Sequence, residues 1–151
     1  MNFLAVVLQD QGKYDEAEKL NRRALEGREN ELGVQHPDTL TSVGNLAGVL
    51  QDQGKHDEAE KLNRRALEGR ENELGEQHPD TLTSVYNLAY LLHKRKRYEE
   101  ASGLYQRACD GYKQKVGTQH PTAIACLNHF SAMQQEAEQE GSEDPSDPYT
   151  C

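Results

Sequence analysis

Apolar residues recur along the chain with the period of an α-helix. Val43, Leu46, Ala47 and Leu50 stand at i, i+3, i+4 and i+7, which gathers them on one face of an amphipathic helix. The stripe stops at Asp52-Gln53-Gly54-Lys55, where Gly54 suits the left-handed residue that closes a helix. A second stripe through Ala59, Leu62, Ala66, Leu67 and Leu74 predicts a longer helix. Gly75, Gln77 and His78-Pro79-Asp80 then end one helix and start the next: glycine serves the C-terminal turn, proline the first turn, and the acid the positive end of the dipole. The same reading along the chain predicts a partial helix from about residue 2 and helices over 14–32, 37–53, 56–74, 79–95, 98–116 and 121–138.

The pattern recurs because the sequence does. Residues 9–43 are written again at 51–85, apart from Tyr14 against His56 and Val34 against Glu76. A diverged third copy places Tyr98, Ala101, Ala108, Gly117 and Gln119-His120-Pro121 42 residues after their counterparts. A fixed period of this size marks a stack of two-helix layers in which each layer buries its apolar face on its neighbours. The expected organisation is a repeat array over 2–139, with units of about 2–36, 37–78 and 79–120 and a final capping helix over 121–138. An acidic tail over 140–151, expected to be disordered, follows. Phe3-Leu4-Ala5-Val6-Val7-Leu8 aligns with residues 45–50, so the chain reads as opening part-way through a repeat. Phe3, Leu4, Val7 and Leu8 would then lack a neighbour, which makes self-association through this edge an expectation.

Composition narrows the function. Only 34% of residues are hydrophobic and the mean hydropathy is -0.96, which suits thin apolar stripes between helix pairs. The net charge of -9 is uneven, because Glu136, Glu138, Glu140, Glu143, Asp144 and Asp147 lie in the last stretch without a Lys or Arg. The rest of the chain is nearly balanced, which argues against a general nucleic-acid surface. No apolar run approaches the roughly 20 residues of a membrane span, so no membrane partner is expected. Three cysteines, Cys109, Cys126 and Cys151, have no framework spacing and point to a reducing, cytoplasmic setting. Cys109 stands in the place of Leu67 and Cys126 in that of Ser84, and both read as small packing residues.

The chemistry of an enzyme is not visible. Gly12-Lys13 and Gly54-Lys55 lack the first glycine and the hydroxyl of a phosphate-binding loop and lie between helices. His36, His78 and His120 come once per unit, so they do not converge on a metal and read as helix N-terminal caps or as linker packing. Lys94-Arg95-Lys96-Arg97 sits at a helix C-terminus, where cations offset the dipole; a nuclear signal is the alternative. No carboxylate pair or nucleophile with a base emerges, and neither a cofactor nor a metal is expected.

Leu46-Ala47, Leu50, Gly54, Ala59 and Ala66, and again Leu88-Ala89, Leu91-Leu92, Tyr98, Ala101, Tyr105 and Ala108, have the offsets of the tetratricopeptide repeat (TPR). The long second helix and the Leu-Gly-x-Gln-His-Pro linker resemble the 42-residue kind found in kinesin light chains. The wording Asn-Arg-Arg-Ala-Leu-Glu-Gly-Arg-Glu with His-Pro-Asp-Thr-Leu-Thr-Ser-Val resembles the C-terminal arrays of fungal STAND/NB-ARC-type proteins. The resemblance implies an all-α fold, a right-handed superhelix (α-solenoid) of antiparallel helix pairs. It also implies a non-enzymatic module that binds a protein or peptide in its concave groove, in a fungal signalling NTPase or, alternatively, as a cargo adaptor. Asparagines at the Asn45 and Asn87 positions commonly hold a ligand backbone in such families, so Asn45, Asn87 and Asn128 are candidates, because an amide offers both donor and acceptor. Tyr86 and Tyr90 would add a rigid wall, with His93, Lys94 and His129 beside them.

Three departures stand out. Asn21 and Asn63 replace the aromatic that returns as Tyr105, and Lys96 replaces the turn glycine seen at Gly54. Gly27, Gly69 and Gly111 recur inside the second helix, where the next unit's first helix is expected to approach closely.

Overall fold

The computed structural model describes residues 13–142, with side chains to residue 140. These residues form six helices, α1 Tyr14–Leu32, α2 Pro37–Asp52, α3 His56–Leu74, α4 Pro79–Lys94, α5 Tyr98–Val116 and α6 Pro121–Ser142, and no strand. The chain divides into two compact units, Met1–Ser84 and Val85–Cys151, and the division falls within α4. The opening helix and the self-association edge at Phe3, Leu4, Val7 and Leu8 lie outside the described residues.

In the first unit α2 carries the core: Leu40, Val43, Ala47, Val49 and Leu50 are fully buried and Leu46 nearly so. Ala17 and Ala24 of α1 and Ala59 and Ala66 of α3 are buried too, as small residues must be where α2 packs on both helices. An ion-pair ladder joins α1 to α3. Arg22 holds Glu18 and Glu58, each at 2.7 Å, and Lys55 reaches Glu18 at 3.0 Å. Hydrogen bonds from Arg22 and Lys55 hold the Glu18 carboxyl down at about 2.

Gly69 is tied to packing, with a correction to the expected direction. A Cβ there would lie 2.7 and 2.8 Å from the two Leu40 methyl carbons, so the close approach is by α2, the helix preceding α3. At Gly27 a Cβ would meet nothing within 4 Å among the described residues.

The linkers are built from local chemistry. Gly33, Gly75 and Gly117 have φ of 93°, 93° and 88°, a conformation glycine adopts without penalty. Each following histidine caps the next helix, one of the two roles expected of it. His36 Nδ1 accepts the Asp38 amide at 3.1 Å, His78 the Asp80 amide at 3.0 Å and His120 the Thr122 amide at 3.2 Å. Arg28 and Arg70 brace the same corner, each donating to the hydroxyl of a helix serine, Ser42 or Ser84, at 2.9 Å.

In the second unit Lys96 keeps the left-handed turn at φ 63° without a glycine. Its amide bonds to the His93 carbonyl at 3.0 Å and that of Arg97 to Leu92 at 2.9 Å, as Gly54 and Lys55 do with Gln51 and Leu50. The left-handed conformation costs a side-chain-bearing residue about 1 kcal/mol. The last helix runs to Ser142, past the expected end at 138. Two carboxylates of the acidic last stretch are engaged: Glu136 bonds His93 at 2.9 Å and Glu140 pairs with Lys96 at 3.2 Å. Residues 143–151 lie outside the described residues.

Candidate functional site

Tyr86, Tyr90 and Lys94 follow one another at spacings of four on α4, so helical geometry puts them on one face. His129, from α6, meets that face. Its ring centroid lies 5.5 Å from Tyr86 and 5.3 Å from Tyr90, and its Nδ1 is hydrogen-bonded to the Tyr86 hydroxyl. Lys94 Nζ sits 5.2 Å from the centre of the Tyr90 ring, a cation–π contact. Tyr86, Tyr90 and His129 are half-buried and Lys94 is exposed, so the cluster has a wall that is held from behind and open in front.

What holds it is a buried aromatic layer. Tyr105 of α5 is fully buried, stacks on Phe130 at 5.6 Å with an interplanar angle of 20°, and lies edge-on to Tyr86 at 6.2 Å. Tyr112 meets Tyr86 at 6.5 Å. His93, expected at a ligand surface, is only 3% exposed. Its two ring nitrogens are committed, Nδ1 to the Tyr105 hydroxyl and Nε2 to Glu136, both at 2.9 Å. His93 therefore belongs to the support rather than to the open face, because a buried imidazole needs both nitrogens satisfied.

Burial sets the protonation of the cluster. It pushes the Tyr86 hydroxyl up to about 12 and raises Tyr105 further. It also draws His129 below its ordinary value, with His93 and Lys94 adding to the effect. Burial disfavours a charged form, and a nearby cation disfavours a second positive charge. The neutral form of His129 is therefore favoured, and its Nδ1 shares a hydrogen bond with the Tyr86 hydroxyl whose donor is set by the ring tautomer.

The asparagines fall differently. Asn87 is exposed on α4 and Asn128 is exposed on α6, while Asn45 is half-buried in the first unit. The 42-residue register runs Asn45, Asn87, His129, so Asn128 shares its place with Tyr86 and Gly44 instead. The support residues Tyr105, Tyr112 and Glu136 were not singled out as a site from sequence. The available signal was the third copy's exchange pattern. Tyr86, Tyr90, Tyr105 and Tyr112 replace Gly44, Gly48, Asn63 and Arg70, and all four gather in one unit.

Among the described residues no group of three or more His, Cys, Asp or Glu could hold a metal ion, and no helix is long and apolar enough to cross a membrane.

Comparison with known proteins agrees with this architecture. The tetratricopeptide repeat family model matches residues 1–71 and 41–114. A crystal structure of nearly identical TPR-like repeats from a kinesin light chain-type protein of Podosopora anserina is similar at 25% identity and a TM-score of 0.84, over 94% of this chain and 68% of that one. A single-substitution variant of it matches at 24% identity and 0.83, with the same coverage of 94% and 68%. BtubC (BKLC) from P. vanneervenii is similar at 25% identity and a TM-score of 0.72, over 96% of this chain and 63% of that one. No curated protein matches the chain. Helix pairs at this period, the histidine-capped linkers and the family match over most of its length lead to one conclusion: the chain belongs to the tetratricopeptide repeat family, whose fold is a non-enzymatic protein-interaction scaffold.

Proposed function

We propose that the chain binds a peptide segment of a partner protein on the face formed by Tyr86, Tyr90, Lys94 and His129, with Asn87 available to the ligand backbone. One observation carries this reading. The aromatic wall is assembled by coordinated replacements in the third copy, where the first unit has Gly44 and Gly48. Tyr and His offer rigid apolar area with polar tips, Lys94 an exposed cation, and Asn87 a paired donor and acceptor. Asn128, exposed on α6 of the same unit, is a further amide within the unit that carries this face, and Asn45 is a candidate within the first unit.

The setting that fits the repeat wording is cytoplasmic, as the ligand-sensing array of a larger fungal signalling NTPase. A second reading, a cargo adaptor, is favoured by the likeness to kinesin light chain-type repeats. Both use the same face and differ in what is joined to the array.

The test begins with a random peptide library selected on the wild-type chain. Affinity of the selected peptide is then measured by fluorescence anisotropy for wild type and for Asn87→Ala with Tyr90→Ala. The double variant is expected to retain helicity by circular dichroism and to lose binding. Equal affinity excludes this face.

A further inference from the structure

Cys109 of α5 and Cys126 of α6 are 2% and 0% exposed, and their sulfurs lie 3.0 Å apart. They are free thiols. From sequence they read as unrelated packing residues; the fold brings them into contact. The other copies show what was exchanged to make the pair. In the first unit the corresponding positions are Leu67 and Ser84, and Arg70 donates to the Ser84 hydroxyl at 2.9 Å. In the third copy the leucine and the serine become cysteines, and the arginine becomes Tyr112. Three positions thus change together, and the serine's hydrogen-bond donor leaves with the serine.

We infer that Cys109 and Cys126 form a reversible intramolecular disulfide that ties α5 to α6. Sulfurs already in contact reach bonding distance by small side-chain rotations. Hydrogen bonding with Cys126 holds Cys109 below the usual thiol range, while the same contact, followed by burial, raises Cys126. Cys109 is accordingly the first nucleophile. With hydrogen peroxide as oxidant, the Cys109 thiolate attacks one peroxide oxygen, the O–O bond breaks and hydroxide leaves, giving a sulfenic acid. The Cys126 sulfur then attacks that sulfur, the S–O bond breaks and the S–S bond forms as a second hydroxide departs. The two thiol protons convert the two hydroxides to water, so two electrons pass from the sulfurs to the peroxide. A dithiol reverses the step by exchange.

Burial makes oxidation depend on opening of α6, whose outer face leaves Ile124 41% and Leu127 38% exposed. Once formed, the bond fixes the helix that carries His129, which lies one turn beyond Cys126, against the helix that carries Tyr105 and Tyr112. A disulfide that opens and closes is the kind expected in a reducing compartment.

The experiment uses the full chain with Cys151→Ser, so that only the pair remains. The folded protein is treated with hydrogen peroxide, alkylated and digested for mass spectrometry. The expected product is a monomer with Cys109 linked to Cys126, a raised melting midpoint, and reversal of both by dithiothreitol. Cys109→Leu, which restores the residue of the first two copies, should abolish the link and the shift while helicity persists; Cys126→Ser serves as a second variant should the first fail to fold. Two thiols that stay open to alkylation after peroxide, sulfinic acid on Cys109 without a cross-link, or disulfide-linked dimers would each overturn the inference.

Discussion

Tyr105 takes the place of two buried asparagines, and the exchange shows how one residue reorganises its surroundings. Asn21 satisfies itself locally, donating from its side-chain amide to the Ala17 carbonyl at 3.0 Å. Tyr105 instead stacks on Phe130 and puts its hydroxyl 2.9 Å from His93 Nδ1. Tyr105→Phe keeps the packing and leaves a buried imidazole nitrogen without its partner, which should cost about 1–2 kcal/mol in urea denaturation. A change below about 0.3 kcal/mol would show that the bond contributes nothing net. His129 provides a second check at this scale. Its folded value lies below the ordinary 6.5, so the unfolded chain binds the extra proton first as pH falls. The associated stability is complete above the unfolded value and is lost as pH falls from there through the lower folded value. An NMR titration of the His129 ring should give a midpoint below 6.5; a midpoint above it would contradict the buried, cation-flanked setting. Helical spacing puts Tyr86, Tyr90 and Lys94 on one face of α4, and His129 of α6 meets that face. The sequence misjudged His93, because helical spacing cannot show that a neighbouring helix covers a residue with Tyr105 and Glu136.

At the scale of the element, the helices were the most legible feature. Apolar periodicity, glycine at the turn and His-Pro at the start each act within a few residues, so the boundaries of α1, α3 and α5 follow from the sequence directly. Two element-level features depended on distant contacts and were not legible. The last helix extends to Ser142 with Glu136 and Glu140 paired across to α4 and its turn, and Gly69 yields to Leu40 of α2, the preceding helix. The histidine cap gives a prediction proper to the element. His78 accepts the Asp80 amide, so His78→Ala should destabilise by about 1 kcal/mol, whereas His78→Asn, which retains an acceptor, should recover most of it. Thermal denaturation compares the two, and equal loss in both would mean that the ring acts by packing rather than by capping.

Across the whole molecule, near-identical copies and a diverged copy do different work. The first two share Gln35, His36, Pro37 and the arginine–serine brace, which build the layers. The third keeps the linker histidine and the buried alanines and exchanges what surrounds them for tyrosines and cysteines. A family model that matches residues 1–71 and 41–114 accounts for the scaffold. The exchanges account for the proposed ligand face. The most direct measurement is the affinity of a library-selected peptide for wild type and for Asn87→Ala with Tyr90→Ala. Loss of at least about tenfold, equivalent to about 1.4 kcal/mol, with helicity unchanged is the predicted result; undiminished affinity in the double variant would contradict the assignment of this face.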